Sequence, residues 1–299
     1  MIMQTIDGIP FPLEEPCDLS FLSAWGRVFQ VFSQNDSGNV SFGVQGKNGR
    51  FFIKVAGAKT IHACVPPDRA VEILRAAVPL YRELTHPRLI RLLDHFSHDR
   101  LYGAVFQWAE GECLFDHWNF DRYAATGELP PRDRFRGLPV EEKLDAFAEV
   151  FDFLTHVENR GYAAVDFYDS SLLYDFTQKQ LTICDIDLFR PRPLVNTLGP
   201  DYPGTKRLKT PEEYLLGAEI TPATGVFTLG ALLLHFFGSY TQEELQQMYR
   251  ENRFFPCRRE TWQLSPKRYA IALKAVDPVP LNRYPSLKDF RRDWESDLI

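Results

Sequence analysis

Residues 165–173 read Val-Asp-Phe-Tyr-Asp-Ser-Ser-Leu-Leu, and residues 183–187 read Ile-Cys-Asp-Ile-Asp. The apolar segment Leu172-Leu-Tyr174 ends the first stretch, and Leu181-Thr-Ile-Cys184 leads into the second. The polar run Phe176-Thr-Gln-Lys-Gln180 between them is turn-like. Two acid-bearing turns therefore lie beside two short apolar segments. Such acids either cap turns through their own side chains or supply the carboxylates of a chemical site.

Working outward, residues 140–159 predict an amphipathic helix. Phe147, Val150, Phe151, Leu154 and Val157 recur at helical spacing, and Gly161 follows as a stop. Residues 115–139 are rich in charged residues, aromatics, Pro and Gly, and are expected to form a loop-rich insertion that packs on its own lobe. Beyond Pro211 the chain predicts helices near 222–237, 241–251, 265–275 and 285–297. The first third reads differently. Residues 25–32, 40–44 and 50–55 are rich in β-formers and are separated by the turn cluster 34–39 and an Asn-Gly turn within 46–49. This predicts an antiparallel meander. Pro66-Pro-Asp68 then opens a helix with Val71, Leu74, Val78, Tyr81 and Leu84 on one face, and residues 101–107 form a further strand. The plan is a strand-rich first part and a helical second part, with the change near 107–111.

The whole composition agrees with a globular chain. Of 299 residues, 44% are hydrophobic and 25% charged, which excludes a disordered tail, a collagen-like chain and a coiled-coil rod. The net charge of −6 provides no global basic field, so nucleic acid is not an expected partner. Cys17, Cys64, Cys113, Cys184 and Cys257 are scattered with no C-x-x-C pair, which argues against a disulfide framework or structural zinc and for a reducing, cytoplasmic setting. Residues 1–15 lack the apolar core of a signal peptide. The longest apolar run, 226–237, falls short of the ~20 residues a bilayer span needs, so no membrane partner is expected.

A hairpin, a lysine-bearing strand, a helix and then a helical lobe, with the two acid turns in this order, resemble the eukaryotic-type protein kinase family over roughly residues 25–297. The resemblance implies an α+β, bilobal protein kinase-like fold: an antiparallel-sheet N-lobe with one helix over 25–107, a mainly helical C-lobe over 108–299, and an N-terminal extension over 1–24. It implies ATP and Mg2+ as cofactors and a protein serine/threonine hydroxyl as acceptor. The frame Ser33-Gln-Asn-Asp-Ser-Gly-Asn-Val40 resembles the phosphate loop, with Ser33 and Asn35 in place of two glycines and Gly38 and Val40 retained. Lys54, among Phe51, Phe52, Ile53 and Val55, resembles the phosphate-binding lysine. Alone, it is equally an edge-strand lysine reaching solvent. Phe106 stands at the gatekeeper place and Gln107, Trp108 and Ala109 at the adenine hinge.

The resemblance makes Asp166 the catalytic base, Asp185 the Mg2+ ligand, Ser171 the second metal-binding position and Asp187 an added carboxylate. Residues 204–212 resemble the substrate loop, with Thr205 in place and Glu212 expected to pair with Arg283. Several places depart from the family. Ala77 falls where a helix glutamate would pair with Lys54. Ala164 and Val165 replace His and Arg, Tyr168 replaces a lysine, and Gly225 replaces an aspartate. Without an arginine at 165, conventional activation by phosphorylation is not expected, although Thr197, Tyr202 and Thr205 are phosphorylatable. The departures keep two alternatives open: a pseudokinase that binds nucleotide or scaffolds a partner, and a kinase for a small-molecule acceptor.

Overall fold

A computed structural model describes residues 1–297, which divide into two compact units. The first comprises residues 1–110 and 117–121, and the second residues 111–116 and those from 122 onward.

The first unit opens with a hairpin of β1 (Ile2–Ile6) and β2 (Ile9–Leu13), which turns through Asp7 and Gly8 at positive φ. Then come β3 (Arg27–Phe32), β4 (Val40–Gly46), β5 (Gly49–Ala56), helix α1 (Pro67–Glu83), β6 (Leu92–His98) and β7 (Leu101–Gln107). The main sheet is antiparallel, in the order β3-β4-β5-β7-β6. The Asn-Gly signal sets its tightest connection, where Gly46 faces Gly49 across the β4–β5 turn. Apolar residues of these strands, among them Phe42, Val44, Ile53, Val55 and Val105, form one buried core. The β1–β2 hairpin joins it through Phe11 and Leu13, with the Phe11 ring edge-on to Phe42 at 6.0 Å. The stretch 1–24, expected as an extension, is thus part of the unit's core. β6 has no strong sequence signal because it is an edge strand with several polar, exposed positions and a register shift between Leu92 and Asp94.

The second unit contains β8 (Glu112–Cys113), and α2 (Phe120–Thr126) runs into it from the first. There follow α3 (Pro131–Arg136), α4 (Val140–Asn159), β9 (Tyr162–Ala163), β10 (Leu172–Asp175), β11 (Gln180–Ile183), β12 (Arg190–Pro191), β13 (Leu194–Val195), β14 (Glu219–Ile220), α5 (Pro222–Phe237), α6 (Gln242–Glu251), α7 (Pro266–Ala275) and α8 (Leu287–Glu295). Among the described residues there are eight α-helices. α5 is the central one, and nearly all its side chains are buried. Phe147 of α4 meets Phe236 and Phe237 of α5 at 5.6 Å, and Phe151 meets Phe290 of α8 at 5.1 Å.

Residues 115–139 are more ordered than a loop-rich insertion: they hold two short helices. Pro131 pre-sets the first turn of α3, and Phe135 is wholly buried against Tyr174, Phe236 and Phe147. A short helix with one large buried ring is stabilised by tertiary packing, which composition alone does not reveal.

Candidate functional site

The acid turns of the second unit are built on a hairpin. β10 and β11 pair with Leu172 opposite Ile183, and β8 adds a third strand with Cys113 opposite Leu173. The chain therefore enters the hairpin from Ser171 and leaves it into Cys184 at the same end. The Cys184 N–H donates to the Ser171 carbonyl at 2.9 Å, extending the ladder to that point. The 166–171 turn and the 185–187 turn are brought together in this way.

Residues 165–171 alternate between buried and half-buried. Val165, Phe167, Asp169 and Ser171 point inward, which leaves Asp166 on the opposite phase, half-buried. Phe167 packs on Phe153 of α4 and on Phe189, at 6.4 and 6.3 Å, and anchors the turn. Asp166 has φ 59°, in the left-handed region. A non-glycine residue there costs on the order of 1 kcal/mol and persists where its surroundings impose it; Asp is among the residues that tolerate it best.

In the second turn Asp185 is half-buried and Asp187 is buried, on either side of the core residue Ile186. The Asp187 N–H donates to Asp185 Oδ1 at 3.2 Å, which orients that carboxylate. Ser171 is buried, and its Oγ receives the Tyr168 N–H at 3.5 Å. Among the described residues, no group of three or more His, Cys, Asp or Glu could hold a metal by itself. Mg2+ characteristically takes one or two protein carboxylates and completes its shell with phosphate oxygens and water. The hard-oxygen pair Asp185 and Asp187 fits that chemistry.

In the first unit, Lys54 lies on β5 opposite Ser41 and Ala104, only 8% exposed. Ala77 of α1 is fully buried, and Glu72 is spent on an exposed ion pair with Arg69 at 2.7 Å. In the 33–40 segment, Ser33 is buried and the Asn35 side-chain amide donates to the Asn39 carbonyl at 3.3 Å. Gly38 has φ 76°, and a Cβ there would lie 3.2 Å from the Ala70 Cβ. This turn therefore packs closely on residues of the 63–70 stretch. Val40 and Phe106 are core residues, with Phe106 edge-on to Tyr81 at 4.8 Å. At residues 107–109, expected as the hinge, the Gln107 N–H donates to the Arg91 carbonyl at 2.9 Å and the Trp108 N–H to the Arg50 carbonyl at 3.1 Å. Ala109 follows, half-buried. Trp108 also packs edge-on to Phe29 at 4.9 Å.

In the 204–212 segment, the Thr205 carbonyl accepts from the Leu208 and Lys209 N–H groups at 2.9 and 3.0 Å. Arg283 forms a buried two-pronged ion pair with Glu212, at 2.6 and 2.9 Å, and also donates to the Ala223 and Asp277 carbonyls. The Thr224 hydroxyl donates to the same carboxylate at 2.9 Å. Next to it, Glu213 is buried, and burial pushes its pKa up to about 7 even though Thr210 donates to it twice.

Several buried charges belong to no sequence motif. Asp169 and Arg207 form a buried ion pair. Lys209 is buried beneath residues 200–202, to whose carbonyls it donates. One signal did exist in the sequence: Asp169 falls on the same inward phase as Val165 and Phe167, where a charge demands a partner. Gly225 borders a small cavity of about 30 Å³ against Ala164, Val165, Glu213 and Arg192, and its missing Cβ would meet only Leu287, at 3.8 Å. That volume holds a water or two.

No protein-family model matches the chain. Among curated proteins it is similar to the serine/threonine-protein kinase nekl-2 of Caenorhabditis elegans: 26% identical over 155 residues, covering 50% of this chain and 42% of that protein. The matched stretch spans less than half the length of this relative. Mixed α/β architecture, with antiparallel sheets and eight helices among the described residues, is compatible with a kinase-like fold, and the similarity suggests a kinase-like relationship. No described helix is long and apolar enough to cross a membrane.

Proposed function

We propose that this chain is a divergent kinase that transfers a phosphoryl group from ATP to a serine or threonine hydroxyl of a protein. The observation that carries the reading is the β10–β11 hairpin, whose single end bears both acid turns, with Asp166 in a left-handed conformation. Phosphoryl transfer needs positioning and charge neutralisation more than covalent help from the protein. In this reading Asp166 orients the acceptor hydroxyl and takes its proton. Asp185, with Asp187 beside it, would hold Mg2+, which neutralises phosphate charge when bound. Lys54 would meet the phosphates. Similarity to a serine/threonine kinase supports the choice of acceptor.

Titration calorimetry of ATP into the protein, with Mg2+ and then with EDTA, tests the reading. Metal-dependent binding that Asp185→Ala abolishes is the expected result. Absence of binding at millimolar ATP would refute it for the isolated chain. Loss in Asp185→Ala with full retention in Asp187→Ala would remove the second carboxylate from the metal site. A second reading, a scaffold without catalysis, is favoured by the buried Ala77 at the glutamate's place. ATP binding that persists in Asp166→Asn, with no phosphoryl transfer in the wild type, would select it.

A further inference from the structure

We propose that Asp169 and Arg207 are positioning residues whose buried ion pair holds the 199–210 segment against the 166–171 turn, so that the segment is ordered in the unmodified chain. What the ordered segment serves, presentation of the acceptor beside Asp166, rests on the phosphotransfer reading.

Four consecutive residues of this segment, Arg207, Leu208, Lys209 and Thr210, are buried, and two of them are cations. Loops ordinarily stay at the surface because buried polar groups need partners. Here the partners are specific. Arg207 Nη2 meets Asp169 Oδ1, with both side chains almost wholly buried, and the guanidinium lies 4.8 Å from the centre of the Phe115 ring. Burial works against the Arg207 cation, but the Asp169 carboxylate outweighs it and holds the guanidinium above the usual arginine range. His235 Nε2 lies 3.9 Å from the other Asp169 oxygen, yet burial first and Arg207 second push its pKa far down, so the ring is neutral. Arg207 is thus the cation that balances Asp169.

Lys209 braces the other half of the segment. Its Nζ donates to the Pro200 carbonyl at 2.9 Å and to the Tyr202 carbonyl, and it sits 4.4 Å from the Tyr214 ring centre. Burial lowers the Lys209 pKa, and the Glu213 carboxylate first and Asp166 second act against that shift. Residues 200–202 are therefore tied to Lys209, and two residues earlier Arg207 ties the same backbone to the acid turn.

The physical consequence concerns regulation. An activation segment that waits for phosphorylation has arginines whose counter-anion arrives with the phosphate. Arg207 has its counter-anion built into the chain. Residue 165, beside the turn, is a buried valine and offers no cation to a phosphate. Removing one member of a buried pair leaves an uncompensated charge, so the segment should detach when Asp169 is neutralised.

Hydrogen exchange read by mass spectrometry on the full, phosphatase-treated chain tests this. In the wild type, peptides covering 199–210 should be protected with no phosphate present. Asp169→Asn should speed their exchange by about tenfold or more while peptides of 222–237 change little. If Asp169→Asn does not fold, Arg207→Lys keeps the charge but not the reach and ring contact of the guanidinium, and should give intermediate exchange. With myelin basic protein as the acceptor probe, either variant should raise the acceptor KM and leave the ATP KM unchanged, a split that general destabilisation would not produce. The proposal is overturned if the segment is unprotected until phosphorylated, or if protection in both variants is unchanged from the wild type. Exchange needs no nucleotide: a protected segment in a chain that fails to bind Mg-ATP refutes the phosphotransfer reading alone, and an unprotected one in a chain that binds it refutes the latch alone.

Discussion

Glu213 makes stability depend on pH in a direction opposite to that of most carboxylates. It is buried, its oxygen accepts from the Thr210 N–H at 2.8 Å and the Thr210 hydroxyl at 2.9 Å, and burial raises its pKa from 4.5 to about 7. The unfolded carboxyl loses its proton near 4.5, whereas the folded one keeps it up to about 7. The folded state therefore binds the proton more tightly, and the associated stability is fully present below pH 4.5 and is lost as pH rises through about 7. At about 1.4 kcal/mol per pH unit, the interval between the two values corresponds to on the order of 3 kcal/mol. Glu213→Gln keeps an acceptor for Thr210 and has no charge to bury. Urea denaturation of both proteins at pH 4.5, 6, 7 and 8 isolates this group, because other titrating residues cancel in the difference. The variant should match or fall slightly below the wild type at pH 4.5. It should gain steadily on the wild type toward pH 8, by up to about 3 kcal/mol less the weakened bonds to Thr210. A difference that does not change with pH, or a wild type that gains on the variant as pH rises, would refute the reasoning.

The Glu212–Arg283 pair is buried and two-pronged, so Glu212→Gln or Arg283→Met should cost roughly 3–5 kcal/mol in thermal or urea unfolding, and the apolar double replacement should cost less than either single change; additive losses would contradict this. Phe135→Ala empties a fully buried ring site and should destabilise the second unit by about 3–5 kcal/mol; a loss below about 1 kcal/mol in the same measurement would mean that 131–136 lies outside the core.

How far the sequence could be read varied with the kind of signal. Helix α4 falls on its expected span because its apolar residues recur at helical spacing, α5 follows the long apolar run 226–237, and α6, α7 and α8 also fall close to their expected spans. The β3–β4–β5 meander followed from turn chemistry, above all the Asn-Gly pair. The hairpin β1–β2 was missed because Ile9-Pro-Phe-Pro-Leu13 carries two prolines, which weaken a strand reading. Pro10 and Pro12 are tolerated because β2 pairs on one side only, with β1. Short helices α2 and α3 were missed for a different reason: six or seven residues are too few to show a period, and Phe135 gains its importance only from the rings it meets.

The order and spacing of the acids around 166–187 were set by the sequence itself, as were the apolar segments that carry them and the candidate pairing of Glu212 with Arg283. These are local patterns or matched positions, and they exist before the chain folds. Tertiary structure alone decided which charges became buried. Asp169 and Arg207 are separated by a long stretch of chain, and nothing in either local pattern marks the other as its partner. The packing of 207–210 into the interior creates that demand, since a charge withdrawn from water must find its counter-charge where the fold happens to bring one. The raised pKa of Glu213 and the open space beside Gly225 have the same origin: both are properties of burial, which a sequence expresses only once it is folded.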